Sequence, residues 1–285
     1  MTQIEEFDRN DLHFFRLKDE SDYVDICPER GGIVTAFHAD NEDLLFMNED
    51  TLFDTSKNVR GGIPVLFPIA GQLTDKQYQW NEKSYSMANH GLVRTRPLQV
   101  VGNETNERFA ELTLSFSSSA ETRAAYPFDF EMLLMYRLAD GKLSIQQKIF
   151  NHSAEAMPVY PGYHPYFAIQ NKTLTVATKA TEYLDYNDQQ IKPLNGAIQM
   201  DGLKESVVLA DGAVTTSFNA DKNLVVEADD AFRYTVLWVE GDQPFVCVEP
   251  WTAKTNTFNE APDNVLLVQP EQPKTLTVSF HLENR

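Results

Sequence analysis

Cysteine is nearly missing from this chain: of 285 residues, only Cys27 and Cys247 carry a thiol. They stand far apart and form no C-x-x-C pair. Neither a disulfide framework nor a redox dithiol is expected, and a reducing cytoplasm is the simplest setting. Basic residues are also scarce. Lys and Arg total 24 against 42 Asp and Glu, giving a formal net charge of −18. That sign repels phosphate backbones and anionic lipid surfaces, so neither nucleic acid nor membrane is an expected partner. No run reaches the roughly 18 apolar residues of a membrane-spanning helix. The opening stretch MTQIEEFDRND has neither the basic nor the apolar region of a secretory leader, so none is expected.

Several catalytic signatures are missing too. There is no G-x-S-x-G elbow and no G-x-x-x-x-G-K-[ST] loop, which disfavours nucleophilic catalysis and phosphate-loop chemistry. His90, His164 and Glu249 are metal-ligand types, but no two have ligand spacing on one element, so no metal is expected. Helical periodicity longer than three turns is absent; SSAETRAAYP (118–127) suggests a short helical turn.

What the chain does have is period-two alternation. In TLTVSFHL, Leu276, Val278, Phe280 and Leu282 share one face, and ELTLSFS repeats the pattern with Leu112, Leu114 and Phe116. EMLLMYRL, LSIQQKIF and YTVLWVE also read as strands. PFVCVEPW is nearly continuous and so is expected to be buried on both faces. Asp-Gly and Asn-Gly pairs at 140–141, 195–196, 201–202 and 211–212 punctuate the strands as turns. Hydrophobic residues make up 42% of the chain, enough for a large core, and no linker or repeat divides it. One all-β antiparallel sandwich domain spanning residues 1–285 is expected.

Four segments depart from plain alternation. In NVRGGIPVLFPIAGQL (58–73), Arg60 precedes Gly61 and Gly62 beside an apolar run. It is either paired internally or aimed at a ligand's oxygens. In MANHGLVRTRP (87–97), His90 and Arg94 cluster near a glycine; they either bind hydroxyls or anions, or are solvated loop charges. In YPGYHPYF (160–167), His164 sits among rings that could wall a sugar, or is a core histidine satisfied by one hydrogen bond. In FVCVEPWTA (245–253), Glu249 shares a strand face with Phe245 and Cys247. An ionised carboxylate there needs partners, or its pKa rises into a range useful for proton transfer.

Taken in order, RGGIPVLFP (60–68), NHGLVR (89–94), GYHPYF (162–167) and VCVEPW (246–251) resemble the aldose 1-epimerase family, the galactose mutarotases in the broad sense; PERGGIVTAFH (28–38) resembles its early strand with paired glycines. The resemblance covers nearly the whole chain. It implies a large antiparallel β-supersandwich and interconversion of the α and β anomers of an aldohexose without a cofactor. It also implies His164 as general acid, Glu249 as general base, and Arg60 and His90 in contact with the sugar. A mid-chain acidic residue that holds sugar hydroxyls would be Asp185 in EYLDYND. Some relatives act on hexose 6-phosphates, and Arg94 with Arg60 resembles their phosphate grip. The alternatives are therefore a hexose-6-phosphate 1-epimerase or a non-catalytic carbohydrate-binding protein. The expected partner is a small sugar or sugar phosphate, and the expected state is a monomer or homodimer.

Overall fold

Alternating sequences give strands wherever one face can be buried, and here they give almost nothing else. A computed structural model describes all residues 1–285. Its longest sheet has nine strands, and its middle holds the segments with the cleanest alternation. Phe130–Ala139 and Lys142–Asn151 form a hairpin in full register, with every second residue of each strand buried. Asp140 and Gly141 both take positive φ at its tip, as the Asp-Gly pair predicts. Lys274–Asn284 pairs next to this hairpin and buries Leu276, Val278 and Phe280.

An eight-stranded sheet and a five-stranded N-terminal sheet complete the main architecture, with every named strand pairing antiparallel. The inward faces of the sheets meet in one core cluster of 58 buried residues. The only α-helical pieces are short. One, Ala120–Ala125, lies where the sequence suggests a turn, and Ser119 and Thr122 cap it reciprocally. Cys27 and Cys247 are both free and buried.

Two glycines fix how the site-bearing loop meets this scaffold. Gly62 has φ +65°, and a β-carbon there would lie 2.2 Å from the Val34 carbonyl oxygen. Gly91 has φ +81°, and a β-carbon would lie 2.2 Å from the Phe67 carbonyl. The paired glycines after Arg60 therefore serve close backbone packing.

Candidate active site

Val246–Trp251 runs through the eight-stranded sheet, between Tyr234–Trp238 on one side and the short strands Gly162–Tyr163 and Tyr166–Phe167 on the other. All six of its residues are buried, as its continuous apolar character predicts. Alternation splits them. Val246 and Val248 join the main core, while Cys247, Glu249 and Trp251 point to the other face. His164 is delivered to that same face by a pinned segment. Gly162 pairs with Trp251 and Leu66, and Tyr166 pairs with Cys247, so the backbone is held on both sides of the histidine. Its own N–H donates to the Pro64 carbonyl at 3.0 Å.

His164 Nε2 and Glu249 Oε1 stand 3.5 Å apart at the floor of a cleft of ≈ 580 Å³. That volume suits a small-molecule site, which typically spans about 300–1,000 Å³. The other carboxylate oxygen, Oε2, accepts the Trp251 indole N–H at 3.1 Å. Burial pushes the Glu249 carboxyl well above its ordinary range, against the pull of the Trp251 bond and the Arg94 cation. Burial also pushes the His164 imidazole well below its ordinary value, and Arg94 adds to the shift. Both groups therefore favour their neutral forms. A neutral carboxyl with a neutral imidazole holds as many protons as a carboxylate with an imidazolium, so the pair shares one transferable proton. Nδ1 of His164 is buried with no hydrogen-bond partner.

His90 borders the same cleft. Its N–H donates to the Gly71 carbonyl at 2.7 Å, and the Gly71 N–H donates to its Nδ1 at 3.0 Å. Because Nδ1 accepts, the ring proton sits on Nε2. Burial, then Arg94, keeps this imidazole well below its usual pKa, hence neutral. Its ring meets the His164 ring edge-on at 5.3 Å. Arg60 forms part of the wall, its guanidinium 5.5 Å from the Trp238 ring centre and 3.4 Å from Glu240 Oε1.

The structure brings four of the six residues singled out in the sequence to one cleft and leaves two outside its lining. Arg94 is partly exposed and does not line the cleft; its Nη2 donates to the Val59 carbonyl at 3.4 Å. Its charge still reaches His90, His164 and Glu249. Asp185 is buried and occupied: Lys192 Nζ lies 2.5 Å from Oδ2, and the Asn187 backbone and side-chain amides donate to Oδ1 at 2.9 and 2.8 Å. Asn187 in turn accepts from the backbone N–H groups of Lys204 and Glu205. The acidic side chain on that rim of the cleft is Glu205, which nothing in its sequence surroundings marks.

The rings of YPGYHPYF also sit elsewhere than expected. Tyr160, Tyr163, Tyr166 and Phe167 are fully buried, and none lines the cleft. Tyr166 instead stacks flat against His164, with ring centres 4.8 Å apart, and holds it from behind. The aromatic walls are Tyr186, Trp238 and Trp251. Trp251 stood in the quoted VCVEPW motif; Trp238 is identified only once its strand is seen to pair with that motif, Trp238 opposite Cys247.

The model of the aldose 1-epimerase family matches residues 13–281. The "Putative glucose-6-phosphate 1-epimerase" of Cenchrus ciliaris is 27% identical over 271 residues, covering 86% of this chain and 75% of that protein. Among solved structures, the Slr1438 protein of Synechocystis sp. PCC 6803 superposes with a TM-score of 0.90 at 29% identity, covering 95% of this chain and 96% of that one. A galactose mutarotase-like protein of Clostridium acetobutylicum gives a TM-score of 0.86 at 18% identity, over 100% of this chain and 99% of that one, a likeness of fold.

Proposed function

The chain belongs to the aldose 1-epimerase family and is an isomerase; from that premise we propose that it interconverts the anomers of an unphosphorylated aldohexose, with Glu249 and His164 as the proton carriers. The supporting observation is the 3.5 Å approach of imidazole and carboxylate at the floor of an open cleft. Ring opening needs one proton removed from the anomeric hydroxyl and one given to the ring oxygen. Both oxygens are borne by the same carbon, so the two catalytic groups must lie close together along one edge of the sugar.

From the form of the pair in which the shared proton rests on His164 and Glu249 is ionised, Glu249 takes the anomeric proton while His164 protonates the ring oxygen. The C1–O5 bond breaks and a carbonyl forms at C1. Rotation about C1–C2 presents its other face to the C5 hydroxyl. That hydroxyl adds to the carbonyl, its proton returns to His164, and Glu249 reprotonates the new anomeric oxygen. Each group ends as it began, and no electron leaves the sugar. General acid–base assistance of this kind contributes about 10²–10⁴-fold per group. The Trp251 N–H and the Arg94 cation both favour the ionised carboxylate against burial. Arg60, the neutral His90 and Glu205 are placed to hold hydroxyls, and Trp238 offers a face for the apolar side of the ring.

The neutral-sugar reading is favoured by the charges of the wall. Arg60 is its single cation and already has Glu240 beside it, while Glu205 is acidic. A hexose 6-phosphate would meet no second arginine in the lining; Arg94 donates to the Val59 carbonyl instead. The test is polarimetry of freshly dissolved α-glucose and α-galactose beside NMR exchange on glucose 6-phosphate. The reading predicts larger kcat/KM on a free sugar. Acceleration of the phosphate alone would overturn the neutral-substrate reading, and no acceleration of any of the three would overturn the assignment of these aldoses.

A further inference from the structure

Cys247 takes no part in the proton transfers above, yet it lies within the same constellation. One donor atom each from His164, Cys247 and Glu249 lies within 4.8 Å of the others, and all three residues are buried. Two of them come from alternate positions of one strand and so share its face; the third arrives on the pinned Gly162–Phe167 segment. The geometry points to a three-donor nitrogen, sulfur and oxygen site at the cleft floor that takes a thiophilic divalent cation, zinc or cadmium, as a reversible inhibitor competing with the sugar.

The donor set decides the class of ion. Imidazole, thiolate and carboxylate together suit zinc, whereas magnesium and calcium require oxygen. Zinc bonds of about 2.0–2.1 Å to nitrogen and oxygen and about 2.3 Å to sulfur place tetrahedral donors roughly 3.3–3.7 Å apart. The His164–Glu249 gap of 3.5 Å already falls there. The thiol has to approach by no more than about 1 Å, a side-chain movement. Nδ1 of His164 is buried without a hydrogen-bond partner, so a metal at Nε2 would break no bond on the other side of the ring. Three protein donors leave the fourth position open, and here it faces the cleft that Glu249 and His164 line.

Charge sets the strength. Burial pushes the Cys247 thiol well above its ordinary value, so a proton competes with the metal for the sulfur. Binding releases that proton and the one shared by the acid–base pair to water, with no change of oxidation state. Arg94 favours both anionic donors and Arg60 favours the thiolate, but both cations repel the incoming metal. Magnesium and calcium, which lack affinity for thiolate, should leave the protein unaffected.

Two readouts test this on the full chain. Zinc chloride, titrated into the mutarotation assay, should inhibit competitively with the sugar and be reversed by a chelator. Cys247→Ser should raise the half-inhibitory zinc concentration by at least about tenfold, since loss even of outer-shell support costs about 10–100-fold in metal affinity. Cadmium chloride should give an ultraviolet thiolate-to-metal charge-transfer band without any substrate, so this arm does not depend on the mutarotase reading. Cys27 is the only other thiol. Cys27→Ser should keep the band and Cys247→Ser should lose it. Should Cys247→Ser fail to fold, Cys27→Ser decides alone, because Cys247 is then the sole thiol. Absence of the band in Cys27→Ser, or zinc inhibition unchanged by Cys247→Ser, would overturn the inference.

Discussion

Asp185 and Glu205 are both carboxylates near one rim, and their surroundings give them different work. Asp185 holds Lys192 and Asn187, and Asn187 holds the backbone that presents Glu205. Burial alone would raise the Asp185 carboxyl, but the bonds from Lys192 and Asn187 outweigh it and leave it below its ordinary value. A depressed folded-state pKa contributes stability that is complete above the unfolded value of about 3.9 and is lost as pH falls through the folded one. Asp185→Asn should therefore cost about 1–3 kcal/mol at pH 7 by chemical denaturation, with a deficit that shrinks below pH ~3.9. Glu205→Gln should leave stability within about 0.5 kcal/mol and raise KM roughly fivefold or more. The opposite pattern, a raised KM for Asp185→Asn with stability intact, would return the sugar-binding role to Asp185. Sequence singled out the member of this pair that does not line the cleft, because spacing shows neither which carboxylate a lysine occupies nor which backbone it braces.

At the scale of elements, the sequence was most legible where alternation alone decides. The Phe130–Asn151 hairpin, its Asp-Gly turn and the buried VCVEPW strand are all where the pattern puts them. Legibility failed for the rings around His164, since an aromatic side chain walls a cleft or fills a core with equal ease, and only strand pairing decides which. The glycines after Arg60 have a testable structural cause. Gly62→Ala combines a left-handed backbone with a β-carbon 2.2 Å from a backbone oxygen, while Gly196→Ala, at φ +79°, has nothing within 4 Å. The first should cost roughly 2–5 kcal/mol and the second roughly 1–2 kcal/mol in denaturant titrations. Equal costs would mean that the contact with Val34 does not constrain the loop.

For the molecule as a whole, the sheets serve to bring together side chains that the chain keeps far apart. His164 comes from the break between two short strands and Glu249 from the middle of the eight-stranded sheet, and neither motif alone distinguishes a catalytic group from a core residue. Their meeting in one cleft supports the proposed catalytic reading, and the −18 charge around them suits a substrate that carries no charge of its own. The most direct measurement is polarimetric turnover of α-galactose and α-glucose by Glu249→Gln and His164→Asn, with sugar binding followed by calorimetry on the same proteins. Turnover should fall by about 10²–10⁴-fold in each variant while binding stays measurable. Folded variants that turn over within about tenfold of the unaltered protein would contradict it.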